Sequence, residues 1–381
     1  MNFSARIGIH FILALFLLPE EFILNLKKAT MSFIMYSMRG SMSSDRMTIT
    51  NRITVMERGR IIMKKLSVIY DVTALCPWNC VICCMGATSD NSCRSNELTQ
   101  EQKLDVVRQV RELKENGYDV RMDLSGGELF TDIPAHTGLI TALSEVLGKS
   151  KLGVSCSGYG INRKLAEFLG KTVHDVEMTM DNVPYHPYIL RPVAYSVAAA
   201  KAVALLKEAG CEVGLQTVAS TYNCSYVDAL AVFAWACANG VDNWSILRFF
   251  PSGRGAAYPE AAMTDAQCET YVHMVQEMVD SLPVGHKPKV DFHYLMPGHK
   301  KYTNVCRCVR HSIGILPNGD VVSCFWALDS NTGAVAPKFL LGNVTETSLL
   351  EIMDSEKSHY WSDCEHCCEL GSIVVDERSA V

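Results

Sequence analysis

The sequence has no basic cluster, no apolar run long enough to span a membrane, and no cysteine before Cys76. Partners rich in phosphate demand grouped Lys and Arg. Here the basic residues are scattered and the formal net charge is −6, so nucleic acid is not expected as the main partner. The apolar stretch IGIHFILALFLL at 7–18 follows Arg6 in the manner of a signal-peptide core. It is shorter than a membrane span, Pro19-Glu20-Glu21 ends it, and no convincing small-residue cleavage site follows. No stable membrane insertion is expected. Residues 1–62 read as an extension that is dispensable or poorly ordered, and Met63 opens MKKLSVIYDVT, a natural beginning for a domain.

The remainder is that of a globular protein. The chain has 381 residues, 48% hydrophobic and 20% charged, enough for one large domain plus a smaller one. Its 16 cysteines are unevenly placed. Cys76, Cys80, Cys83, Cys84 and Cys93 crowd the stretch YDVTALCPWNCVICCMGATSDNSC at 70–93. Cys306, Cys308, Cys324, Cys364, Cys367 and Cys368 crowd the tail. A disulfide framework belongs to small secreted domains. Two dense groups in a long chain indicate two metal centres in a reducing, cytoplasmic setting. Cys156, Cys211, Cys224, Cys237 and Cys268 fall within strand and helix patterns and read as apolar filler, with Cys224 and Cys268 partly exposed.

From residue 66 onward, strands and helices alternate. Strand patterns at 66–72, 119–128, 151–158, 175–181, 211–220 and 243–250 are followed by helix patterns at 98–117, 134–148, 162–169, 193–209, 225–239 and 264–281. Thr99 and Gln102 form a capping box, and Gly117 a stop. Six such units predict an α/β fold, a partial (β/α)6 TIM-like barrel with right-handed crossovers over residues 63–300. Past about residue 300 the pattern changes: SIGILPNGDVVSC at 312–324 predicts a hairpin turning at Pro317-Asn318-Gly319-Asp320, and 348–361 a short helix. Residues 301–381 are expected to form a small cysteine-rich α+β domain, a separate appendage.

Chemistry in parallel α/β folds sits at the C-terminal ends of strands. The thiol run follows strand one, at the position of an active site. Cys76, Cys80 and Cys83 have Cys-x3-Cys-x2-Cys spacing. Three close thiolates on an iron–sulfur cluster that usually takes four leave one iron open. Zinc is the alternative: the Cys80–Cys83 pair suits it, and Cys84 or Cys93 could be the fourth ligand.

CPWNCVIC after a first strand, with Trp78 inside it, resembles the signature of the radical S-adenosylmethionine enzymes. The resemblance implies a site-differentiated [4Fe–4S] cluster on Cys76, Cys80 and Cys83 that chelates S-adenosylmethionine, whose reductive cleavage gives a 5′-deoxyadenosyl radical. It also implies a low-potential electron donor such as flavodoxin or ferredoxin. SGGE at 125–128 resembles the family's Gly-Gly-Glu segment, which implies that Gly126, Gly127 and Glu128 meet the methionine amino group. Glycines permit close backbone approach and a carboxylate accepts from an ammonium. Ser157 in SCSG, Asp181 in TMD, and Arg248 in LRFFPSGRG, which leads to a Gly/Arg loop, are further cofactor candidates at strand ends. Each also reads as an ordinary strand end or helix cap.

In the tail, the hairpin brings Cys306 or Cys308 toward Cys324, and Cys364-x2-Cys367 completes a four-thiolate set. Geometry alone suits structural zinc. CRCVRHSIGILPNGDVVSC with LLGNV, SLLEI and CEHC resembles the auxiliary-cluster extensions called SPASM or twitch domains, which implies a second [4Fe–4S] cluster. Beyond Cys367 only Cys368 remains, so the shorter twitch form is the better match.

Such extensions imply substrates such as ribosomally made peptides, protein side chains or aminoglycoside-like alcohols, and hydrogen abstraction from a peptide or protein side chain is the first expectation. A radical dehydrogenase of a small molecule is the second expectation, and a non-enzymatic zinc- or cluster-binding module the third. No leader-peptide-binding domain is legible. Tyr159, Tyr185, His186 and Arg191, on loops after strands three and four, are candidates to face substrate.

Overall fold

The computed structural model describes residues 63–283, 285–303, 307–328 and 334–363. The apolar stretch at 7–18, Cys306, Cys364, Cys367 and Cys368 lie outside these residues.

Six β-strands run parallel in sequence order: β1 (Lys64–Asp71), β2 (Tyr118–Ser125), β3 (Leu152–Cys156), β4 (Asp175–Thr179), β5 (Glu212–Ala219) and β6 (Asn243–Arg248). Between and after them lie α1 (Gln100–Glu115), α2 (Ile133–Leu147), α3 (Arg163–Thr172), α4 (Val193–Glu208), α5 (Tyr226–Ala238) and α6 (Asp265–Ser281). The six expected strand–helix units are all present. Alternation drives the layering: Leu66, Val68 and Tyr70 of β1 are buried, as are Val106, Val110 and Leu113 of α1, within one continuous core. The Thr99–Gln102 capping box starts α1 as expected, each residue's side chain bonding the other's backbone N–H.

Three features of the sheet depart from expectation. A seventh parallel strand, β7 (Lys289–Phe292), pairs with β6. Its four residues, KVDF, are too short to show a period. The second strand stops at Ser125, so Gly126-Gly127-Glu128 form a turn beyond it. The tail is not a separate layer: β8 (Ser312–Ile315) pairs parallel with β1, and β9 (Asp320–Val322) and β10 (Leu340–Asn343) extend the same sheet. The order is β10-β9-β8-β1-β2-β3-β4-β5-β6-β7. The predicted hairpin turn is present, with Gly319 at φ +88°.

Buried Gln109 of α1 fastens the tail further. Its Nε2 donates to Val344 O at 2.9 Å, and its Oε1 accepts from Leu349 N at 2.8 Å. Leu349 begins α7 (Leu349–Met353), which is separated from α8 (Glu356–Asp363) where a single helix was expected. Cys268 is fully buried rather than partly exposed, because it lies on the inner face of α6. Among the described residues, no helix is long and apolar enough to cross a membrane.

Candidate active site at the mouth of the barrel

Beyond Asp71, the chain leaves β1 and folds back on itself. Glu97 accepts from Thr73 Oγ1 (2.7 Å) and from Ala74 N (2.8 Å), and Cys76 N donates to Thr88 O (2.7 Å). The turn between the first two cysteines needs a left-handed residue, and Asn79 supplies it at φ +48°. Its side chain is clamped to Ser89, donating to Oγ (2.9 Å) and accepting from N (3.0 Å). Cys83 N then donates to Cys80 O at 3.2 Å, closing the loop.

The two glycines after β2 press flat on this loop. A Cβ on Gly126 would stand 2.6 Å from Thr73 O, and one on Gly127 would stand 2.4 Å from Leu75 O. Gly127 N donates to Thr73 O at 2.6 Å and Glu128 N to Leu75 O at 2.8 Å. Glycine is required here by the approach of two backbones.

Glu128 is completely buried. It accepts from Phe130 N (3.1 Å), Ser157 N (2.9 Å) and the Ser157 hydroxyl. Burial pushes its carboxyl above the usual range, while these donors hold it back toward the charged form. Ser157 in turn accepts from the indole of Trp78 at 2.6 Å. Trp78 also meets the rings of Tyr159 and Tyr195 at 6.0 and 5.4 Å. Glu128, Ser157 and Trp78 thus form one chain of bonds from β2 through β3 to the cysteine loop.

Asp181 is likewise engaged: Oδ1 accepts from Val218 N at 2.7 Å, and Oδ2 takes an ion pair from Arg191. Arg191, a candidate for substrate, lies against the Cys80 thiol. Burial pushes that thiol up, and hydrogen bonding and charge from Arg191 work against the rise. Arg191, Asp181, Asn182, His186, Tyr188 and Tyr195 line a shallow surface depression. Tyr159 and Tyr185 are well exposed, at 42% and 66%. Arg248 bonds groups outside the cysteine loop. It donates to Leu295 O and Met263 O at 3.2 Å each and pairs with Asp265.

The sequence reading passed over Glu97, Asn79 and Arg254. Arg254 bonds the carbonyl of Cys80 through Nε (3.0 Å) and Nη2 (2.8 Å). The Gly/Arg loop in PSGRG is the signal the sequence offers for it. Nothing in the sequence marks Glu97 or Asn79, whose partners are set by the loop's path.

The chemistry of the donor set fits an iron–sulfur cluster. Cys76 and Cys80 are buried and Cys83 is half-buried. Burial pushes the Cys76 thiol up to about 12, and the negative potentials of Glu128, Cys80 and Cys83 add to this. Thiols so reluctant to ionise become thiolates when a bound cation supplies compensating charge. No group of three or more His, Cys, Asp or Glu side chains among the described residues already lies within reach of one metal ion. In the tail, Cys308 and Cys324 are both buried. Trp326, just past Cys324, packs on Phe250 (4.8 Å) and His293 (5.2 Å) at the ends of β6 and β7.

A family model described as SPASM, an iron–sulfur cluster-binding domain, matches residues 306–369. None of the curated proteins matches the chain in sequence. Among solved structures, Streptococcus suis SuiB bound to S-adenosylmethionine is similar with a TM-score of 0.63 at 15% identity, over 81% of this chain and 74% of that one. SuiB bound to the precursor peptide SuiA gives 0.64 at 15%, over 92% and 85%. The protein anSMEcpe with bound AdoMet and the Cp18Cys peptide gives 0.59 at 15%, over 78% and 82%. The chain shares the fold of these S-adenosylmethionine-binding structures, a partial parallel barrel, and its residues 306–369 match the SPASM iron–sulfur cluster-binding domain.

Proposed function

We propose that this chain is a radical S-adenosylmethionine enzyme that abstracts hydrogen from a ribosomally made peptide or a protein side chain. The observation that carries the reading is a position. Cys76, Cys80 and Cys83 sit on one closed loop at the mouth end of β1, with Gly126 and Gly127 pressed against its backbone. Cys76, Cys80 and Cys83 hold the [4Fe–4S] cluster. When bound, the cluster supplies the electron that cleaves S-adenosylmethionine into methionine and a 5′-deoxyadenosyl radical.

The protein's own groups bind and orient. Gly126 and Gly127 leave the end of β2 open to close approach, and the Glu128–Ser157–Trp78 chain keeps the loop in register with β3. Tyr159 and Tyr185 offer apolar contact at the rim of the mouth, and His186 lines the adjoining depression. In the tail, Cys306 or Cys308 joins Cys324, Cys364 and Cys367 around an auxiliary [4Fe–4S] cluster. A flavodoxin or ferredoxin serves as the electron donor. SuiB with SuiA and anSMEcpe with Cp18Cys support a peptide as the substrate. Maturation of the peptide, rather than oxidation of a small molecule, is therefore the favoured outcome.

The test is iron content after anaerobic reconstitution, with 5′-deoxyadenosine release from S-adenosylmethionine. The wild type is expected to hold about eight irons and Cys76→Ala/Cys80→Ala/Cys83→Ala about four, as two [4Fe–4S] clusters become one. The variant releases no 5′-deoxyadenosine. Tightly bound metal with no 5′-deoxyadenosine from the wild type would leave a non-enzymatic module instead.

A further inference from the structure

The segment after β6 returns to the cysteine loop and grips it at Cys80–Cys84, further along than the contacts of Gly126 and Gly127. Gly253 turns at φ +53°, and a Cβ there would stand 2.2 Å from Cys84 O and 2.7 Å from Cys83 O. Arg254 follows, donating its backbone N–H to Cys83 O at 3.0 Å. Its guanidinium places both Nε and Nη2 on Cys80 O, at 3.0 and 2.8 Å. The grip is backed by a small apolar cluster. Ile82 of the loop packs with Phe249 and Ala261 beside this segment and with Leu190 before Arg191.

From this geometry we infer that Arg254 is a positioning residue for the cysteine loop, setting how firmly the loop keeps a cluster and at what potential. The inference rests on the proposed cluster at Cys76, Cys80 and Cys83. The physical case has two parts. First, the carbonyls of Cys80 and Cys83 belong to the two ligands closest in sequence, so fixing both peptides fixes how their Cα–Cβ bonds project and from where each sulfur must reach. Two N–H groups of one rigid guanidinium on a single carbonyl, with the backbone N–H on the next, leave that turn little freedom. Second, Arg254 carries a permanent positive charge in a half-buried place. A cluster with three protein thiolates is anionic, and a fixed cation near its ligands favours the reduced form. Arg191, on the thiol side of Cys80, is already compensated by Asp181. Among the described residues Arg254 has no ion-pair partner, and its charge is spent on the loop.

The experiment uses the full, reconstituted chain without substrate. It compares the wild type with Arg254→Met and Arg254→Lys in two readouts: the chelator concentration that removes half of the loop iron, and the midpoint potential of the loop cluster from an EPR-monitored titration. Ligand-supporting groups of this kind change metal affinity by about 10–100-fold. For Arg254→Met, iron loss is expected at about tenfold less chelator, with a more negative potential. Arg254→Lys keeps the charge but not the fork, so its potential stays near that of the wild type while its iron is lost more easily. Thermal melting of the apo chains identifies a variant that fails to fold. If Arg254→Met does fail, the lysine variant decides alone: wild-type iron retention in it overturns the inference. Wild-type retention and potential in a folded Arg254→Met overturn it as well. If instead the Cys76→Ala/Cys80→Ala/Cys83→Ala chain holds as much iron as the wild type, the cluster reading itself fails.

Discussion

Trp78 donates its indole N–H to the hydroxyl of Ser157 at 2.6 Å, joining the middle of the Cys76–Cys80 turn to the mouth end of β3. Ser157 passes the contact on to Glu128, which is completely buried after the end of β2. Strand ends two and three thus hold the loop that follows strand one, although no residue of this chain of bonds is adjacent to another in sequence.

Removing the middle link separates the ends. Ser157→Ala is expected to cost about 2 kcal/mol, since one hydroxyl both accepts from Trp78 and donates to a buried carboxylate. Ser157→Ala and Trp78→Phe should be non-additive in urea unfolding, with a coupling of about 1 kcal/mol. Strict additivity would show that the bond contributes nothing to the loop.

Gly127→Ala tests the backbone contact. Its Cβ would meet Leu75 O at 2.4 Å, and a carbonyl in a hydrogen-bonded turn does not move aside as a flexible side-chain end does. The expected cost is about 3 kcal/mol in urea unfolding, together with a loss of loop iron. Unchanged stability and iron content would mean that the two backbones are not held together.

Asp181 is buried and its partner Arg191 partly so, and breaking the pair from one side should cost more than removing it. Asp181→Asn leaves the guanidinium without its counter-charge and is expected to cost about 3–5 kcal/mol. Asp181→Asn/Arg191→Met should recover most of that in the apo chain. A double variant as unstable as the single one would show that Asp181 acts through Val218 N alone.

Glu177 gives the barrel interior a pH dependence. Burial pushes its carboxyl up from 4.5 to about 7, with Asp123 adding to the rise and Asp175 doing so more weakly. Gln216 and Arg121 oppose it. The folded chain therefore binds this proton more tightly than the unfolded chain. The associated stability is present below about pH 4.5 and lost as the pH climbs through about 7. Glu177→Gln cannot ionise, so it should gain on the wild type with rising pH, by about 3 kcal/mol at most. Urea midpoints at about pH 5 and about pH 8 check this. An equal difference at both would mean that Glu177 titrates normally.

Local pattern was enough to place the six strand–helix units, the Thr99–Gln102 cap and the Gly319 turn, because each rests on neighbours within a few residues. It also placed the cysteine loop at a strand's mouth end. The seventh strand was beyond reach, since KVDF spans only two periods of a strand and about one turn of a helix, too little to tell them apart. The single sheet was hidden too: the pairing of β8 with β1 joins residues 67–70 to 312–315, and no sequence rule selects that edge.

At the site, sequence alone named Cys76, Cys80, Cys83, Gly126, Gly127 and Glu128, because residue type and spacing carry their chemistry. What each group touches was decided in three dimensions. Ser157 and Asp181 are hydroxyl and carboxylate at strand ends, which the sequence can say; that one holds Trp78 and the other Arg191 follows from packing. Arg254 is separated from Cys80 by most of the barrel's sequence, and only the tertiary fold brings its guanidinium onto that carbonyl. Residue identity fixed which chemistry is available, and the fold decided which groups meet to perform it.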